Sequence, residues 1–73
     1  MNYNPIDIAE FIFFIIDEFA ALFRLTEHQA YRYIKNHGGL EFIEQNYGVM
    51  HTLDDKECVE SLALFCKRNG GRL

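Results

Sequence analysis

Apolar residues recur along this chain at three- and four-residue intervals, the spacing that aligns side chains on one face of an α-helix, and polar punctuation divides them into four runs. Asn4-Pro5 opens the first: Asn4 suits the N-cap, Pro5 the first helical position, and Asp7 the positive end of the helix dipole. A helix is expected there over about residues 5–24. Thr26 and Gln29 form a T-x-x-Q capping box for a second helix over 26–37, with Leu25 placed to pack onto Ala30. Gly38-Gly39 ends that helix by supplying left-handed backbone. A short third helix is expected over 40–47, stopped by Gly48. Asp54 and Glu57 form a D-x-x-E box that opens a fourth over 54–68, closed by Asn69-Gly70-Gly71 with Lys67 and Arg68 in its last turn. The fold class that follows is all-α: one compact bundle of four helices, a single domain over residues 1–73.

Three of these helices carry ordinary stripes: Ala30, Tyr31 and Ile34; Leu40, Ile43 and Tyr47; Val59, Leu62, Ala63 and Cys66. The first does not. At about 100° per residue its apolar side chains from Ile8 to Phe23 sweep roughly 200° of circumference, against about 100° for a core-facing stripe. Phe14 falls among Asp7, Glu10, Asp17 and Glu18. Three short helices cannot cover that arc, so Phe13 and Phe14, with Asp17 beside them, are expected to stand uncovered. An exposed aromatic patch on a small protein marks a contact surface, here for a protein partner or a second copy of the chain.

Composition supports a folded domain: 49% of residues are hydrophobic, which excludes a disordered chain. A formal charge of −4 argues against nucleic acid, whose binders gain affinity by neutralising phosphates. Cys58 and Cys66 lie on one helix, roughly 12 Å apart along its axis, too far to bridge. They read as reduced packing residues of a cytoplasmic protein. The N-terminal stretch has no positive charge ahead of its apolar run, so no signal peptide is expected. "FIFFII", Phe11 to Ile16, is followed at once by Asp17 and Glu18, whereas a membrane span needs about 20 apolar residues; no membrane segment is expected.

Candidate chemistry is sparse. In "YGVMHT", Tyr47 to Thr52, His51 could serve as a general base or metal ligand, but no nucleophile or second titrating group accompanies it. The connector reading, with His51 and Thr52 bonding loose backbone groups between two helices, accounts for both residues. His28, His37, His51, Cys58 and Cys66 show neither C-x-x-C nor H-x-x-x-H spacing, so no metal or other cofactor is expected. Phosphate-loop and nucleophile-elbow motifs are also missing. The chain therefore reads as a non-enzymatic protein. The alternative is a small helix-turn-helix-like DNA-binding regulator, with His28, Arg32 and Lys35 on one face of the second helix. Against it, the would-be recognition helix "LEFIEQNY" has two glutamates and no Lys or Arg.

The order "FIFFIIDEFA", "LTEHQAYRYI", "LEFIEQNYGVMHT" and a final amphipathic helix resembles a family of short bacterial proteins, the domain of unknown function numbered 3791. The resemblance runs from roughly Ile8 to Phe65, and its most specific part is an aromatic-Gly-x-x-His-Thr motif at Tyr47, Gly48, His51 and Thr52. Asp54 stands where members carry a Ser or Thr cap, a conservative exchange. The resemblance brings no activity to any position. It implies a context: members tend to be encoded beside proteins that look like ADP-ribosyltransferases, as in toxin–antitoxin pairs, and so an antitoxin-like partner role.

Overall fold

Three of the four helices begin where a side-chain oxygen meets the free amide groups of a first turn, in a computed structural model that describes residues 3–73. Met1 and Asn2, part of the expected domain, lie outside the described residues. The elements are α1 (Pro5–Phe23), α2 (Glu27–Asn36), α3 (Gly39–Met50) and α4 (Asp55–Arg68). Asn4 accepts from the Ile6 amide at 2.8 Å. At α2 the capping box is complete: the Gln29 amide donates to Thr26 Oγ1 at 3.0 Å, and the Thr26 amide to Gln29 Oε1 at 2.9 Å. Asp54 accepts from the Glu57 amide at 2.9 Å. Each bond satisfies a first-turn amide that has no intrahelical partner.

The third helix departs from the sequence reading. Gly48, expected to stop it, is itself helical, and the helix runs on to Met50; with Gly39 at its start, the expected 40–47 segment is extended at both ends. A glycine lowers helix propensity by about 1 kcal/mol without removing a hydrogen bond, and the buried Met50 beyond it offsets that cost. The other boundaries shift by a residue at most: Arg24, Thr26, His37 and Asp54 are caps, and the fourth helix ends at Arg68 as expected. Arg24 adopts left-handed backbone, φ 56°, a conformation that costs a non-glycine residue.

α1 is the central element and packs against α2, α3 and α4. Its buried side chains, Ile15, Ile16, Phe19 and Ala20, join one core with Ala30 and Ile34 of α2, Ile43 and Met50 of α3, and Cys58, Val59, Leu62 and Cys66 of α4. The α2–α3 corner closes only because Gly39 has no side chain: a Cβ there would lie 2.5 Å from Ile34 Cγ2 and 3.1 Å from Leu62 Cδ1. Among the described residues, no helix is long and apolar enough to cross a membrane.

The helices differ in length, and this shapes the surface. α1 has 19 residues and α2 only 10, or about 28 Å against about 15 Å at 1.5 Å per residue. Everything α1 buries lies between Ile15 and Ala20. From Pro5 to Phe14 no residue is buried.

Candidate functional site

In the first half of α1, Phe11 and Ile12 are half-buried against the core, Ile8 is half-buried, and Ile6, Phe13 and Phe14 are exposed. Ile6 is 68% exposed and Phe13 67%. Two helical turns separate them, so they form one outward stripe, with Ala9 beside them. Phe14, 41% exposed, points away from this stripe, toward the side of α1 that carries Asp7 and Glu18. Phe13 and Phe14 thus stand open, as the wide apolar arc requires, but they face different ways.

Beside the stripe, an open groove of about 290 Å³ runs between α1 and α3, lined by Pro5, Ile8, Ala9, Ile12 and Glu44. Ala9 belongs to both groove and stripe, making one continuous apolar surface. The sequence reading singles out neither Ile6 nor this groove. The i, i+7 relation of Ile6 to Phe13 is the signal available for the first; the second depends on where α3 lies.

Among the described residues, the charged side chains of α1 and of the groove lining have one sign. α1 contains Asp7, Glu10, Asp17 and Glu18 and no Lys or Arg. Glu10 sits one turn from both Ile6 and Phe13, and Asp17 one turn beyond Phe13. The Asp17 side chain, by hydrogen bond and then by charge repulsion, raises the Glu27 carboxyl above its ordinary range. A second open groove, about 370 Å³, lies between α1 and α4 and is lined by Glu18, Ala21, Leu22, Asp55, Lys56 and Val59.

"YGVMHT" closes α3. The backbone amide and ring Nδ1 of His51 both donate to the Tyr47 carbonyl, at 3.0 and 2.6 Å. A carbonyl oxygen only accepts, so Nδ1 carries the proton. Thr52 Oγ1 donates to the Val49 carbonyl at 2.6 Å. The His51 ring stacks on Tyr47 with centroids 4.6 Å apart and an angle of 10°. Tyr3 packs edge-on against both, at 5.0 and 5.6 Å. A Cβ on Gly48 would come within 2.8 Å of the Tyr3 hydroxyl, so the glycine makes room for that ring. His51 and Thr52 end the helix, while Tyr47, Gly48 and His51 receive the Tyr3 ring.

The remaining candidates are dispersed. His28, Arg32 and Lys35 are exposed along α2, with Lys35 Nζ 5.9 Å from the Tyr31 ring centre. Glu41 and Glu44 are exposed on α3, the helix a DNA groove would have to admit. His37 Nδ1 bonds the Asn69 carbonyl at 3.1 Å, tying the end of α2 to the end of α4. Cys58 Sγ donates to the Met50 carbonyl at 2.9 Å. Burial, followed by the nearby Asp55, Asp54 and Glu57, raises the Cys58 thiol, and burial pushes Cys66 up to about 11. Both thiols are free, buried and protonated at neutral pH, the state of packing residues and not of nucleophiles. Among the described residues, no three His, Cys, Asp or Glu side chains converge as a metal site would require.

A family model described as "Protein of unknown function (DUF3791)" matches residues 10–69. No curated protein and no solved structure matches the chain.

Proposed function

We propose that this domain, which belongs to the DUF3791 family, acts as a non-enzymatic protein–protein interaction module in the bacterial cytoplasm. The carrying observation is the first half of α1, where Ile6 and Phe13 are each about two-thirds exposed beside an apolar groove. Contiguous apolar surface of this kind serves contact in small proteins. Supporting the non-enzymatic part, the two thiols are buried and the His51 ring is engaged by its own helix end. The genomic context that the family resemblance implies makes a neighbour-encoded ADP-ribosyltransferase-like protein the first partner to try, with this chain in an antitoxin-like role.

Co-purification with the adjacent gene product, run beside a solution mass measurement, tests the proposal. The intact chain is expected to form a complex, and Phe13→Ser to lose it while keeping its helical signal. A complex that survives Phe13→Ser with full affinity would remove this face from consideration. The second reading, DNA binding through His28, Arg32 and Lys35, has three exposed basic residues in its favour and the acidic α3 against it. It requires a salt-sensitive shift of promoter DNA that Arg32→Ala weakens.

A further inference from the structure

We infer that the surface along the first half of α1 is shaped for an apolar helix edged with Lys or Arg and supplied by a different protein. This rests on the docking role proposed above and identifies the occupant by its chemistry. The groove floor is Pro5, Ile8, Ala9 and Ile12, and across Ala9 the apolar surface continues onto the exposed stripe of Ile6 and Phe13. A channel between two helices receives the ridge of a third helix, the geometry by which amphipathic helices dock.

Both rims are acidic. Glu44 edges the groove on the α3 side, and Glu10 and Asp17 flank the stripe on the far side. The helix beneath offers no cation. An occupant with Lys or Arg on either side of an apolar stripe would match both edges at once, and complementary rims govern partner choice and encounter rate.

The same charges disfavour a second copy of the chain. A twofold interface sets one patch against itself, which here brings the acidic rims of one copy, Glu10, Asp17 and Glu44, against the same acidic set of the other. Two chains of formal charge −4 also repel before contact. Nucleic acid and anionic lipid meet the same repulsion.

The test uses the full chain, isotopically labelled, titrated with two synthetic amphipathic peptides of about 18 residues, or five helical turns. One is built from Leu and Lys; the other keeps the Leu pattern and replaces Lys with Glu. The Leu/Lys peptide is expected to shift amide resonances of residues 6–13 and 44 and to bind about tenfold or more tightly than the Leu/Glu peptide. The double variant Glu10→Lys with Glu44→Lys is expected to abolish or invert that preference, and Phe13→Ser to weaken binding of either peptide. All three positions are exposed, and melting curves check that the variants fold.

Equal binding of both peptides at this face would overturn the charge assignment and leave the docking face standing. So would a homodimer that Phe13→Ser dissolves, because the occupant would then be a second copy. A strictly monomeric chain whose residues 6–13 respond to neither peptide would overturn this inference. If that chain also bound its neighbour-encoded protein unaffected by Phe13→Ser, the docking face itself would fall.

Discussion

Phe13 and Phe19 belong to one helix and one kind of chemistry, yet Phe19 is fully buried and Phe13 is 67% exposed. The difference lies in what reaches them. The C-terminal half of α1 is enclosed by α2, α3 and α4 through Ile15, Ile16, Phe19 and Ala20. The N-terminal half is only partly covered: Phe11 and Ile12 pack half-buried against the core, a groove opens beside α3, and Ile6 and Phe13 face solvent. Apolar sequence is therefore necessary for a core but does not locate it. The lengths and crossing points of neighbouring helices decide which apolar residues are used internally and which remain available to a partner.

The largest expected effect separates the two halves directly. Phe19→Ala should cost about 3–5 kcal/mol, which removes most or all of the roughly 3–5 kcal/mol that a domain this small can hold. Phe13→Ala should change stability by no more than about 0.5 kcal/mol, as for an exposed position. Chemical denaturation of both variants checks the contrast. Comparable losses would mean that the first half of α1 is core after all.

The next effect concerns the enclosure around the buried half. Gly39→Ala would drive a methyl group into Ile34 and Leu62, side chains of the same core as Phe19. Overpacking of this kind costs about 1–3 kcal/mol. Thermal melting should show the loss, together with faster hydrogen exchange at the α2–α3 corner. A neutral result would mean that the corner is looser than its distances indicate.

Arg24, at the end of the buried half, should respond in the opposite sense. Its left-handed backbone suits glycine, and the amides of Arg24 and Leu25 already close α1 onto Ala21 and Ala20 at 3.4 and 2.9 Å. Arg24→Gly should add up to about 1 kcal/mol by removing the strain of a side chain in that conformation. A melting temperature that falls would show that the arginine side chain contributes packing not offset by this relief.

Helix starts are legible in the sequence because caps are local: Asn4, Thr26 and Asp54 find their amides two or three residues away. The exposure of Phe13 is legible too, since an apolar arc wider than its neighbours can cover must leave something out. The role of Gly48 is not. Gly38 and Gly70 use the missing side chain for left-handed backbone, at φ 74° and 89°. Gly48 uses it to admit Tyr3, a residue from the far end of the chain. A local reading assigns a stop to all three, and only tertiary packing separates them. The groove beside Ala9 is out of reach for the same reason, as one wall is the Glu44 turn of α3.

Asp17 stands where the two halves of α1 meet, and it sharpens the comparison at the smallest scale. Its side chain raises the Glu27 carboxyl, first by hydrogen bond and then by repulsion, above an ordinary value of 4.5. The folded chain thus holds the Glu27 proton to higher pH than the unfolded chain does. Between 4.5 and the raised folded value, the native state binds more protons, so stability falls as pH rises through that window. Asp17→Asn removes the repulsion, and its melting temperature should exceed that of the parent at neutral pH. The gain should shrink as the pH drops below 4.5, where the Glu27 carboxyl is neutral in both states. A gain of equal size in acid would assign it to helix propensity and not to the paired carboxylates. The same substitution should weaken the Leu/Lys peptide, because Asp17 belongs to the acidic rim. A change that steadies the fold while loosening the complex would mean that this charge is kept at the junction for the partner and not for the core.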